Sequence, residues 1–245
     1  MLVANADDPL IAARLPRFAG RVLRFGIDRE AEVRATAVVD RGIEGTSAQV
    51  ATPRGVIDIT TPLVGRGNLA NILAAIAVAL ECDVPPATVA ERAATLRPAA
   101  HRGEVVRLDS GVIVIDDSYN ANPTAMKRAL DVLAGADASR RIAVLGEMLE
   151  LGDYAANLHA DVGRFVATCR VRPAVRDRRR AGGGAGRRRG RRRHGARPPC
   201  VTSRRAMPPP TRWRPSSQRG DVVLVRGSRG VKTDRVVDRL TAGRA

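Results

Sequence analysis

The sequence predicts an α/β protein in two parts, the second built on a parallel-rich sheet. Three observations predict it. After about residue 100, runs of β-branched residues alternate with helical patterns, and such alternation gives a parallel sheet covered on both faces. The polar runs "DDSYNANP", "GEMLELGDY" and "RGSRG" fall where those strands end, which is where ligands of such sheets gather. Before residue 100 the pattern differs: several short strands precede two helices.

In chain order, "MLVANADDP" reads as a short buried strand ending in a polar turn. "RVLRFGID", "VRATAVVD", "TSAQVATP" and "GVIDITTP" cluster β-formers between turn residues and read as strands. "GRGNLANILAAIAVALE" is a helix, because Leu69, Ile72, Leu73, Ile76 and Leu80 recur on one face. "PPATVAERAATL" is a second helix, entered through proline. In the second part, "EVVRL" and "GVIVIDD" form a hairpin-like pair. "PTAMKRALDVLAG" is a helix closed by Gly135, "RIAVLGE" a strand, and "YAANLHADVGRFVATC" a helix. At the far end "DVVLVRGS" is a strand and "VKTDRVVDRLTAG" a helix.

Between these lies the segment 170–219, in which alternation calls for another strand and helix. It holds 18 arginines, no lysine and a single acid, Asp177, so the whole net charge of +17 resides there and the rest of the chain is neutral. Its Arg, Gly, Pro and Ala composition cannot bury enough apolar surface to offset its ordering entropy, so it is expected to be disordered. Two origins fit: a genuine linker, or a GC-rich coding sequence read out of frame from near Cys169 to near Gly220. A basic run of this kind would bind nucleic acid through phosphates, non-specifically and with strong salt dependence. Its single aromatic, Trp213, gives little support for base stacking.

Cys82, Cys169 and Cys200 have no metal or disulfide spacing, which fits a reduced cytoplasm. The N-terminus has no signal-peptide pattern, and no apolar run approaches the roughly 18 residues that span a bilayer.

The motifs "NADDP" (5–9), "GRGNLANILAA" (65–75), "HRGEVV" (101–106), "VIDDSYNANPTAM" (114–126), "RIAVLGEMLELG" (141–152) and "DVVLVRGSRG" (221–230) stand in the order and spacing of one family. The chain resembles the Mur ligases, and among them the branch that adds D-alanyl-D-alanine to UDP-N-acetylmuramoyl-tripeptide, over about residues 1–169 and 220–245. The resemblance implies the late part of a central ATPase domain at 1–99 and a Rossmann-like C-terminal ligase domain at 100–245, interrupted by 170–219. It implies ATP and magnesium, an acyl-phosphate route to an amide bond, and a role in peptidoglycan synthesis. A G-x-x-x-x-G-K-[ST] phosphate loop is expected upstream, so the isolated chain is expected to be inactive, and a separately encoded N-terminal piece is a candidate partner. "GSRGVKT" at 227–233 follows a strand and opens a helix, but its glycine-to-lysine spacing is too short for a phosphate cradle.

Residue by residue, the resemblance assigns Asn68, Asn71, Arg102 and Asp117 to ATP. Carboxamides both donate and accept, which suits an adenine edge; Asn68 could instead cap its helix. Gly67 stands where the family usually has His. A permanently charged guanidinium suits ribose and phosphate oxygens, though Arg102 could equally form a surface salt bridge. The Asp117 carboxylate can accept from ribose hydroxyls or cap a turn, and Asp116 is expected to hold the turn. Ser118, Tyr119, Asn120 and Asn122 complete a loop facing nucleotide and acyl phosphate, with Asn122 also a candidate cap for the helix begun by Pro123. Glu147, Ser228 and Arg229 are the dipeptide candidates, since arginine can hold a carboxylate bidentately. His101 is expected to position Arg102, and His159 to be a packed or solvated mid-helix histidine.

Overall fold

The computed structural model describes residues 1–169, 172–173 and 217–242. Contacts divide the chain into two compact units, Met1–Ala99 with Gly135–Asp137, and Ala100–Ala134 with Ala138–Ala245.

In the first unit five strands lie in sequence order: β1 (Leu2–Asn5), β2 (Val22–Gly26), β3 (Val33–Asp40), β4 (Thr46–Thr52) and β5 (Gly55–Thr61). β1, β2 and β3 pair in parallel, and β3, β4 and β5 pair antiparallel. Alternation sends Val33, Ala35, Ala48, Val50, Ile57 and Ile59 into one buried face. α2 (Gly65–Glu81) covers that face with the apolar stripe the sequence predicts: Leu69, Ile72, Leu73, Ile76 and Leu80 are all buried, joined by Ala77. α3 (Pro86–Thr95) adds Val89 and Ala93 to the same core. Gly45, at φ +102, must be glycine, because a Cβ there would sit 2.0 Å from the Thr61 carbonyl oxygen.

The polar turn expected after β1 forms at Ala6 and Asp7, and it is followed by a short helix that the strand-and-turn reading does not include. α1 (Pro9–Ala12) starts at once, capped by Asp8, whose carboxylate accepts from Leu10 and Ile11 N–H. An aspartate followed by proline is the cap-and-first-turn signature, so the helix was readable there.

The second unit holds β6 (Glu104–Arg107), β7 (Ile113–Asp117), β8 (Arg140–Leu145), β9 (Arg172–Pro173) and β10 (Asp221–Arg226), in the order β6-β7-β10-β8-β9. β6 and β7 are the expected antiparallel pair, and the other pairings are parallel. β10 runs between β7 and β8 and is buried along its whole length, as a central parallel strand should be. On one face Val114, Val144, Val223 and Val225 pack with Val236 and Val237 of α6 (Asp234–Thr241). α4 (Pro123–Gly135) buries Met126, Leu130 and Leu133, and α5 (Ala155–Thr168) buries Val162 and Val166. α6 begins later than expected, because Arg229–Val231 form a 3-10 turn and Lys232 takes the left-handed conformation at φ +61. β9 pairs with β8 inside the segment expected to be disordered, so the sheet reaches those two residues. Apart from 172–173 and 217–219, that segment lies outside the described residues. Among the described residues no helix is long and apolar enough to cross a membrane.

Candidate active site

Register brings Asp117 of β7, Arg226 of β10 and Leu145 of β8 level with one another, so the loops that follow leave the sheet side by side. Consecutive strand residues face opposite ways, which gives the two acids ending β7 different work. Asp116 is buried; its Oδ1 accepts from Ser118 N–H at 3.2 Å and Oγ–H at 2.6 Å, and its Oδ2 meets His101 Nδ1 at 2.7 Å. It holds the turn, as expected. His101 is thereby committed to Asp116, whose hydrogen bond raises the imidazole pKa. Asp117 pairs with Arg226. Burial pushes the Arg226 guanidinium down to about 10, so it stays charged at neutral pH with Asp117 as counter-ion.

The loop after β7 divides its residues. Ser118 turns inward, buried against Asp116, and leaves the open side of the loop to its neighbours. Tyr119 donates its N–H to the His101 carbonyl at 3.1 Å. The Arg102 guanidinium carbon lies 4.0 Å from its ring centroid and that of Arg229 lies 5.4 Å away. Asn120 Oδ1 accepts from Ala121 N–H, and Asn122 Oδ1 accepts from Ala125 N–H, the cap of α4. Both asparagines are exposed.

The loops after β8 and β10 are tied together. Gly146 N–H donates to the Arg226 carbonyl at 2.7 Å, and Ser228 N–H to that of Glu147 at 3.1 Å. Ser228 is buried, its Oγ accepting from Leu149 N–H at 2.9 Å. His159 does more than pack: its Nε2 accepts from Met148 N–H at 3.0 Å while Nδ1 contacts the Ala155 carbonyl at 2.7 Å, which fixes the neutral Nδ1–H tautomer. Gly146 and Gly227 meet under the Thr233 methyl, and a Cβ on either would lie 2.7 Å from it. Glu147 and Arg229 are thus presented from a pinned frame, Arg229 exposed and Glu147 half-buried.

In the first unit, Asn68 Nδ2 donates back to the Val64 carbonyl at 2.9 Å, which ties it to the start of α2, while Asn71 is exposed on the same helix. "NADDP" proves structural in its own right. Asp7 accepts from the N–H groups of Ile27, Asp28 and Arg29, and Asn5 Oδ1 accepts from Asp7 N–H. Burial raises the Asp7 pKa, but these backbone donors outweigh it and hold the carboxyl low.

A family model of the Mur ligase glutamate ligase domain matches residues 101–229, and one of the Mur ligase middle domain matches residues 1–79. This chain belongs to the Mur ligase family. Among curated relatives, the UDP-N-acetylmuramoyl-tripeptide–D-alanyl-D-alanine ligase of Mycobacterium tuberculosis (strain ATCC 25618 / H37Rv) is 38% identical over 176 residues, 66% of this chain and 33% of that protein. The enzyme of the same name from Escherichia coli (strain K12) is 36% identical over 119 residues, 49% of this chain and 26% of that one. Among solved structures, a crystal structure of MurF from Acinetobacter baumannii is 28% identical with a TM-score of 0.59, over 68% of this chain and 36% of that chain. MurF ligase from Thermotoga maritima in complex with ADP shares the fold, with a TM-score of 0.69 at 20% identity, over 100% of this chain and 54% of that chain. The chain spans about a third of the length of the curated relatives it matches.

Within this Mur ligase chain, the residues that sequence reasoning missed are those whose role depends on a distant partner: Arg226 for Asp117, and His159 for the loop after Glu147. No local signal marks either. Among the described residues there is no group of three or more His, Cys, Asp or Glu side chains that could hold a metal ion.

Proposed function

We propose that this chain is the base-binding and acceptor-binding half of an ATP-dependent amide ligase of peptidoglycan synthesis, working in the cytoplasm and joining D-alanyl-D-alanine to UDP-N-acetylmuramoyl-tripeptide. The observation that carries the reading is the convergence of Tyr119, Glu147 and Arg229 on the adjacent carboxyl ends of β7, β8 and β10, in a chain 38% identical to a ligase of that name. In the reaction, ATP as substrate phosphorylates the tripeptide carboxylate. The dipeptide amine then attacks the acyl phosphate, an amide forms, and phosphate leaves. The chain's own part is to orient the reactants. Asn71 offers an exposed carboxamide to adenine, and Asp117, anchored by Arg226, offers a carboxylate to ribose. Glu147 attracts the dipeptide ammonium and Arg229 its carboxylate. No G-x-x-x-x-G-K-[ST] run occurs in the 245 residues, so the triphosphate is held by residues outside them.

The chain alone, given ATP, magnesium and both substrates, is expected to release phosphate no faster than a blank. Fused behind the upstream part of the Mycobacterium tuberculosis ligase, with segment 170–219 retained or replaced by the relative's own, it is expected to release phosphate only when tripeptide and dipeptide are both present. Release indifferent to the dipeptide would overturn the reading.

A further inference from the structure

Arg102 and Arg229 come from opposite ends of the second unit's sequence, and both lay their guanidinium against one ring, that of Tyr119. Two other arginines of this unit are matched with acids: Arg140 binds Asp221 bidentately, and Arg226 pairs with Asp117. Arg102 and Arg229 are exposed and have no carboxylate partner among the described residues. Two like charges held beside one ring repel each other, and an arrangement that keeps them there is stabilised by an anion between them. The ring itself is a fixed platform. Tyr119 N–H is bound to the His101 carbonyl, His101 is bound to Asp116, and Asp116 holds Ser118.

We propose that Tyr119 is a positioning residue that holds Arg102 and Arg229 as the two arms of a single seat for one carboxylate or phosphate group. The arms act jointly, so that base-side and dipeptide-side recognition meet on one tyrosine. The seat stands on this geometry; the choice of anion, a dipeptide carboxylate or a nucleotide or acyl phosphate, rests on the ligase reading. The phenol senses the seat, since its hydrogen bond to Arg102 and the nearby charge of Arg229 draw its pKa below the ordinary tyrosine value.

The chain has two tyrosines, and Tyr154 is 72% exposed, so Tyr154→Phe leaves Tyr119 as the sole phenol reporter. Its ionisation is followed by near-ultraviolet absorbance at fixed ionic strength, with chloride, inorganic phosphate, D-Ala-D-Ala or D-alanyl-D-alaninamide added. The expected result is a midpoint below that of free tyrosine which phosphate or D-Ala-D-Ala raises and chloride does not. Binding measured from this shift is expected to weaken about tenfold in Arg102→Gln and in Arg229→Gln. Tyr119→Phe, followed by calorimetry, is expected to retain binding, whereas Tyr119→Ala is expected to lose about three- to fivefold, the worth of an exposed cation–π contact. A response to D-Ala-D-Ala but not its amide identifies a carboxylate seat, and a response to phosphate alone a phosphate seat. A midpoint moved by neither anion, moved equally by chloride, or moved as far without either arginine would overturn the proposal. Such a failure would leave the ligase reading, tested by phosphate release, standing.

Discussion

Asp7 shows how much one carboxylate can organise. Three backbone N–H groups of the β2–β3 connection converge on it. Asp7→Ala would leave those donors without an acceptor, and a loss of about 1–3 kcal/mol in unfolding free energy is expected by denaturant titration. Acid should act on the same unit. Asp7 is held low, and Glu32, hydrogen-bonded by Arg24, is lowered to about 2. Depressed folded values give stability that is present above the unfolded pKa near 4 and lost as pH falls toward 2, so the Glu32→Gln variant should show a shallower acid limb. His101 has the opposite sign. Its folded pKa is raised by Asp116, so its contribution is full below about 6.5 and fades as pH rises through the folded value. In Asp116→Asn the His101 proton resonances should titrate lower, and a midpoint unchanged from wild type would break the link. The turn-holding role of Asp116 was legible, because two acids end a strand at the mouth of a polar loop and neighbours on a strand face opposite ways. The Asp117–Arg226 pair was not, since β7 and β10 are far apart in sequence and meet only through the sheet.

At the scale of elements, the strands and helices with strong periodicity were legible, α2 down to the residues it buries. What escaped were short or punctuated pieces: α1, marked only by Asp8-Pro9, and the late start of α6, delayed by a 3-10 turn and a left-handed Lys232. Neither carries enough repeats for a period to appear. The tie between the ends of β8 and β10 was also beyond the sequence, though its two glycines were visible. Gly227→Ala would drive a methyl to 2.7 Å from the Thr233 methyl. A loss of about 1–3 kcal/mol is expected, together with faster amide exchange at Ser228 and Leu149. His159→Leu removes the acceptor of Met148 N–H, and the Met148 amide should lose exchange protection while β7 keeps its own.

For the whole molecule, charge is concentrated in one stretch of the sequence. The net charge of +17 is carried by segment 170–219, and the remainder is neutral. Any affinity for DNA is therefore expected to fall steeply with salt and to vanish when 170–219 is deleted, as retention on a DNA column would reveal; retention by the deleted chain would assign it elsewhere. The rest of the chain is expected to act where three parallel strands end together, with dipeptide chemistry gathered at Tyr119, Glu147 and Arg229. The direct measurement is an amide chemical-shift titration of the ¹⁵N-labelled chain with D-Ala-D-Ala. Shifts are expected at Tyr119, at Glu147 to Leu149 and at Ser228 to Gly230, with β3, β4 and β5 unmoved. Saturating dipeptide that moved none of these amides, or moved only those of residues 1–99, would contradict it.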